Sequence, residues 1–223
     1  HASGGAFDPT CGPVVRLWRA ARKDHHRPDP DLLSDAQGRT GWTKVRLQGA
    51  HATLEPGMRL DFGGIGKGYA ADQALTLLRE RGFPSALVDI GGDMAIGDPP
   101  PGRDAWKIEV ELRGTTRPLL QVANVGVATS GDLYQFVEIE GVRYSHIVDA
   151  RTGEALHTPT VACVVAPDAT GADALASAAS VLGPDVESIL VAEGACALIE
   201  RETADGLRRW ELGAWARIVS TPE

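Results

Sequence analysis

Asp61-Phe62-Gly63-Gly64-Ile65-Gly66-Lys67-Gly68-Tyr69-Ala70-Ala71-Asp72 is the stretch from which the rest of the chain is read. Four glycines fall between Gly63 and Gly68. Glycine tolerates positive φ and lets a ligand approach the backbone closely. The residues after Gly68 read as a helix over 69–80, with Ala70, Ala74, Leu77 and Leu78 on one face. A glycine loop that enters a helix N-terminus offers unpaired N–H groups and the positive end of a dipole, which suits phosphate. Lys67 adds a cation there and Asp61 an anion just before it. Two familiar phosphate loops are excluded. A Walker loop ending at Gly66-Lys67 needs glycine at 61 and Ser or Thr at 68, where the chain has Asp61 and Gly68. The dinucleotide spacing also fails, because Gly64, Gly66 and Gly68 alternate. On the glycines alone, a tight structural turn before a helix is the competing reading.

The wider string, Asp-x-Gly-Gly-Ile-x-Lys-Gly-Tyr-Ala-x-Asp, resembles the signature of the ApbE family, the FAD:protein FMN transferases. Four more stretches resemble that family in the same order: Gly5-Ala6-Phe7-Asp8-Pro9-Thr10, Asp89-Ile90-Gly91-Gly92-Asp93, Ser145-His146-Ile147-Val148-Asp149 with Arg151-Thr152-Gly153, and Ala172-Asp173-Ala174-Leu175-Ala176-Ser177. The matches run from about residue 5 to 183. Family members usually carry a further segment before Gly5, so the chain reads as an N-terminally short member.

Composition bounds the function classes. The 223 residues suffice for a real core, and 43% apolar with 23% charged residues is ordinary for a globular chain. A net charge of −8 argues against nonspecific nucleic-acid binding, which needs a basic face. No apolar run approaches a bilayer-spanning length, so no membrane span is expected. The chain begins at His1, so the lack of a signal segment carries no information. Cys11, Cys163 and Cys196 are far apart and odd in number, which argues against a disulfide framework or structural zinc.

Along the chain, a helix is expected over 9–21 with Asp8 and Thr10 as caps. Residues 22–41 read mainly as a connector. Strands are expected over 44–54 and 58–62, 85–90, 106–112 and 118–123, and a hairpin over 134–148 around Glu140-Gly141. A valine-rich strand spans 160–166. Helices follow over 168–182 and 185–192, then a closing strand pair. Thr129-Ser130-Gly131-Asp132 reads as a small polar turn. Hairpins outnumber strand–helix–strand units, so the expected fold class is α+β, with mixed or antiparallel sheets and packed helices, in one domain over 1–223.

Asp173 and Ser177 lie four apart on the expected helix and share a face. They suit two oxygen ligands of a hard cation such as Mg²⁺, or simply an ordinary polar face. His146 suits a general base near neutral pH, or a satisfied half-buried histidine. In a strand it would share a face with Val148, opposite Ser145, Ile147 and Asp149. The resemblance implies Mg²⁺ held by Asp173, Ser177 (where the family has Thr) and the Gly64 carbonyl. It implies His146 as the base that takes a proton from an acceptor hydroxyl. It also implies Ala6, Phe7, Asp8, Asp61, Lys67 and Ile147 as FAD contacts. Ala150 replaces the family's usual proline. Asp89 and Asp93 flank Gly91-Gly92 and suit a ribose or a second cation.

The resemblance therefore implies Mg²⁺-dependent transfer of FMN from FAD to a Thr or Ser hydroxyl of an acceptor protein, releasing AMP. Two other readings stand beside it: an FAD pyrophosphatase with water as acceptor, and a flavin-binding protein without catalysis. The implied compartment is the cell envelope, at the outer face of the bacterial inner membrane, although cytoplasmic members occur.

Overall fold

The computed structural model describes residues 2–115 and 117–220. In chain order the elements are α1 (Gly12–Asp24), α2 (Pro30–Gly38), β1 (Arg46–Gln48), β2 (His51–Thr53), α3 (Gly66–Glu80), β3 (Leu87–Ile90), β4 (Asp93–Ile96), β5 (Trp106–Glu109), β6 (Leu119–Val122), β7 (Val125–Gly131), β8 (Phe136–Ile139) and β9 (Val142–Ser145). Then come β10 (Thr160–Ala166), α4 (Ala169–Leu182), α5 (Glu187–Ala192), β11 (Cys196–Thr203), β12 (Gly206–Leu212) and β13 (Val219–Ser220). The named strands pair antiparallel throughout, and with the packed helices they make the α+β class. Contacts group the chain into two compact units. One runs up to Phe62 and includes Asp132–Pro159; the other spans Gly63–Gly131 and continues from Thr160.

In the first unit α1 and the β8–β9 hairpin share a core of Val14, Trp18, Ala21, Val137, Ile139 and Tyr144. Trp18 stacks on Tyr144 at 5.0 Å between ring centroids, and its indole N–H donates to the Gly153 carbonyl at 2.9 Å. The hairpin turns at Glu140 and Gly141, both at positive φ (52° and 78°). That is the two-residue turn whose twist matches the flanking strands, and it sets the register. Helix α2 lies in the stretch expected to be a connector. Asp29 caps it, accepting from the N–H groups of Asp31 and Leu32, and Pro30 takes the first helical position. Residues 58–62, expected as a strand, contribute only an isolated bridge between Arg59 and Cys11. Only Met58 of that stretch is buried while Leu60 and Phe62 are exposed, so it presents no apolar face for a sheet to bury.

The second unit is a six-stranded sheet in the order β12-β11-β10-β7-β4-β3, with α3 and α4 packed on it. All of β10 is buried, as befits a central strand written Thr-Val-Ala-Cys-Val-Val-Ala. Its neighbour β7 contains Thr129, Ser130 and Gly131, the residues expected to form a polar turn. They pair instead with Cys163, Ala162 and Val161 of β10. Tertiary pairing overrides the weak local preference of a Gly- and Ser-containing segment. Helix α4 buries Ala172, Ala176 and Ala179 against the sheet. Alanine contributes only about 0.8 kcal/mol per methyl-sized group buried, but it brings the helix axis close to its neighbours. The segment Ala169–Ala192 is apolar and long enough by composition to cross a membrane. A 3₁₀ turn over Gly183–Val186 splits it into α4 and α5.

Candidate functional site

The second unit assembles one group of candidate residues where α3 meets α4. Helix α3 starts at Gly66, so Lys67 and Gly68 belong to its first turn, after a turn over 63–65 that includes Gly64. The buried face of α3 is Gly68, Ala71 and Leu75, not the Ala70-Ala74-Leu77-Leu78 line read from the sequence; Leu77 is exposed. Smallness, rather than hydrophobicity, selects that face. A Cβ added at Gly68 would lie 2.1 Å from the Ala169 carbonyl oxygen and 3.0 Å from Asp173 Cβ. The Gly68 N–H donates to Asp173 Oδ2 at 3.1 Å. Gly68→Ala is therefore expected to destabilise the protein by at least about 2 kcal/mol. An uncrowded helical site would instead gain about 0.8–1 kcal/mol from the same change. The midpoint of urea unfolding separates these signs.

Asp173 is 5% exposed and Asp93 is 1% exposed. Lys67 Nζ lies 2.5 Å from Asp93 Oδ2. Burial pushes the Asp173 carboxyl up to about 6, reinforced by the charge of Asp93, and the Gly68 N–H and Lys67 pull it partly back. Two buried carboxylates thus share one nearby lysine. Such a place is short of positive charge, and a hard cation with oxygen ligands fits it. Ser177 stands one turn along α4 from Asp173, half-buried on the same line of the helix. Among the described residues no three His, Cys, Asp or Glu side chains gather as a metal cluster. A set of one carboxylate, one hydroxyl and one backbone carbonyl is of a different kind. The sequence sets Asp93 beside Gly91-Gly92 as a residue suited to a ribose or a second cation; its closeness to Lys67 and Asp173 is a finding of the fold. Asp89 is exposed and accepts from the Gly92 N–H at 2.8 Å, a turn-closing contact.

The folded Asp173 value lies above the unfolded value near 3.8. Its contribution to stability is therefore full below that pH and lost as pH rises through about 6. Asp173→Asn keeps an acceptor for Gly68 but removes the charge. In cation-free protein it is expected to raise the melting midpoint at pH 8 by about 2–4 °C and to change it little below pH 3.8. Calorimetry across pH checks this; a rise independent of pH would contradict it.

The first unit carries the remaining candidates. Gln135 immediately precedes β8 and His146 immediately follows β9. The hairpin register, Phe136 opposite Ser145, carries on by one residue to set them face to face. The Gln135 carbonyl accepts from the His146 backbone N–H at 3.0 Å and lies 3.1 Å from His146 Nδ1. A carbonyl only accepts, so this contact puts the hydrogen on Nδ1, which in the neutral ring makes Nε2 the acceptor nitrogen. That is the tautomer a general base needs. The strand itself ends at Ser145, so the face-sharing expected of 145–149 does not hold: Ser145, Val148 and Asp149 are buried together. Ser145 Oγ accepts from the Ile147 N–H, and the Ile147 carbonyl accepts from Leu156, which fixes Ile147 beside His146. Asp149 holds Arg151 through both carboxylate oxygens, at 2.9 and 2.7 Å. Arg143 stacks over Phe136 and pairs with Asp132.

Ala6 and Phe7 form a tight turn on Ser3, whose hydroxyl accepts from the Phe7 N–H. Asp8 is buried and both its oxygens are engaged. Oδ1 accepts from the Thr10 N–H and hydroxyl, and Oδ2 from the Trp42 N–H. Helix α1 begins only at Gly12, so Asp8 and Thr10 tie the loop instead of capping the helix as expected. Asp61 pairs with Arg19 at 2.8 Å, and its N–H donates to the Pro9 carbonyl. Burial, Asp61 and Asp8 together push the Cys11 thiol up to about 12 and keep it protonated.

Comparison with known proteins bears on both groups. The model of the ApbE family matches residues 1–199. A protein of Treponema pallidum named FAD:protein FMN transferase is 38% identical over 212 residues, covering 86% of this chain and 59% of the relative. One of Haemophilus influenzae with the same name is 32% identical, covering 98% of this chain and 67% of the relative. The crystal structure of the ApbE protein from Thermotoga maritima matches with a TM-score of 0.86 at 31% identity, over 98% of this chain and 74% of that one. The flavin transferase ApbE from Vibrio cholerae matches with a TM-score of 0.85 at 26% identity, over 97% and 72%. The chain spans about 60% of the length of the first curated relatives it matches (59% and 63%).

Proposed function

The chain belongs to the ApbE family, and on that premise we propose that it transfers FMN from FAD to the hydroxyl of a Thr or Ser in an acceptor protein. The observation that carries this reading is the Asp173–Gly68–Lys67–Asp93 cluster, a buried, anion-rich corner at a glycine loop. It supports a diphosphate held through a divalent cation better than a simple flavin carrier. Asp173, Ser177 and the Gly64 carbonyl would hold Mg²⁺, which when bound neutralises charge on the diphosphate oxygens. The Lys67 side chain and the backbone N–H groups of Gly66 and Lys67, which open α3, bind phosphate oxygens. His146 Nε2 takes the proton of the acceptor hydroxyl. The hydroxyl oxygen then forms a bond to the FMN phosphorus while the bond from that phosphorus to the bridging oxygen breaks, and AMP leaves. Ala6, Phe7, Asp8, Asp61 and Ile147 belong to the FAD-binding surface in this reading. Asp8 and Asp61 act there mainly by fixing their loops, since their carboxylates are engaged by Thr10, Trp42 and Arg19. The resemblance points to the cell envelope as compartment.

The test is AMP release from FAD with Mg²⁺, with and without an acceptor protein, followed by a denaturing gel read for flavin fluorescence. AMP with a fluorescent acceptor band is the expected result. AMP and free FMN without a band identify water as the acceptor. Saturable FAD binding without AMP identifies a flavin-binding protein instead.

A further inference from the structure

The start of α4 is held from α3. An α-helix leaves its first four N–H groups without intrahelical partners. In α4 these include the N–H groups of Ala169, Thr170 and Gly171. Asp72, on α3, takes the first two: Oδ1 accepts from the Ala169 N–H at 2.9 Å and Oδ2 from the Thr170 N–H at 2.8 Å. Oδ2 also accepts from the Thr170 hydroxyl at 2.5 Å. Asp168, the ordinary N-cap, takes the third with its side chain at 2.6 Å, and its carbonyl accepts the first regular helical bond, from the Ala172 N–H at 3.1 Å. The cap is thus divided between a residue of the preceding loop and a residue of another helix 97 positions away.

Asp72 is one turn beyond Gly68 on the same side of α3. The two residues make opposite contacts with the same turn of α4. Gly68 donates into α4 at Asp173, and Asp72 accepts from α4 at 169 and 170. Translation or rotation of α4 against α3 breaks both sets together. Asp173 is only three residues past Thr170, within the turn that Asp72 fixes. Ser177 lies one turn on, on the same rigid helix.

We propose that Asp72 is a positioning residue for the cation site: it sets the place of the Asp173 carboxylate and Ser177 hydroxyl relative to the glycine loop that leads into α3. This rests on the cation reading given above. Groups behind metal ligands typically change metal affinity by about 10–100-fold when removed. A residue that merely caps a helix changes stability and leaves such affinity alone.

Asp168 supplies the control, because its side chain caps the same helix from its own N-cap position, at the Gly171 N–H. Mn²⁺ serves as the probe, its uptake by the whole chain read from the loss of its free EPR signal. Thermal unfolding of each variant is measured alongside. Asp72→Asn and Asp168→Asn are both expected to lower the melting midpoint. Asp72→Asn is expected to weaken Mn²⁺ binding by about 10–100-fold, and Asp168→Asn by less than about twofold. Thr170→Val removes only the hydroxyl contact and is expected to weaken binding a few-fold, which decides the matter if Asp72→Asn does not fold. Wild-type affinity in Asp72→Asn, or in Thr170→Val where that variant decides, would overturn the positioning role while leaving the cation reading intact. Equal losses in the Asp72 and Asp168 variants would also overturn it. A wild-type chain that takes up no Mn²⁺ overturns both.

Discussion

Asp173→Ala is expected to abolish Mg²⁺-dependent AMP release from FAD, with a fall of roughly a thousandfold. A catalytic cation stabilises transition-state charge by several kcal/mol, and about 1.4 kcal/mol is a tenfold change in rate. Alanine removes both the anionic ligand and the acceptor that Gly68 N–H uses at 3.1 Å. Asp173→Asn separates these effects. It keeps the acceptor and the shape but not the charge, so it is expected to melt no lower than wild type at pH 8 while releasing AMP as poorly as alanine. Chromatographic AMP assay over a Mg²⁺ titration checks both variants. Full activity in Asp173→Ala would sink the cation assignment.

His146→Ala is expected to slow covalent flavin transfer by about 10²–10⁴-fold, the usual worth of a positioned general base. FAD binding should be little changed, because the ring is assigned to the acceptor hydroxyl and not to the flavin. The hairpin should survive as well. Its register comes from the Glu140-Gly141 turn and from Val137, Ile139 and Tyr144 in the core, none of which involve the imidazole. The measurement is the initial rate of fluorescent band formation, set against FAD affinity from fluorescence titration. A rate within about twofold of wild type would remove His146 from the chemistry. Lost binding with an unchanged maximal rate would move it to the flavin side.

The two groups differ in how openly they are written. The hairpin that carries His146 is local: a two-residue turn flanked by alternating apolar residues. What the turn cannot reveal is that β9 stops at Ser145 and that the Gln135 carbonyl faces the ring. That contact decides the tautomer, and it depends on a register carried one residue past the ladder. Helix α2 also carries a local signal. Asp29-Pro30 is a cap followed by proline at the first helical position, a signal outweighed by the charge and prolines around it.

Elements whose signals lie within a few residues are legible from the chain alone. These are the glycine loop leading into α3, the Asp168 cap with α4 behind it, the valine-rich β10, and the β11–β12 pair. The Asp173/Ser177 spacing and the family resemblance were legible in the same way, because short-range periodicity and capping chemistry travel with the residues. Which partners those residues meet is set by long-range packing. Thr129–Gly131 became strand because β10 lies about thirty positions downstream to pair with it. The buried face of α3 became Gly68-Ala71-Leu75 because α4 must come within a hydrogen bond of its backbone. Asp93 met Lys67, and Asp72 met α4, across 26 and 97 positions of chain. A buried carboxylate needs a partner wherever one can be found, and no local pattern says where the fold will bring it.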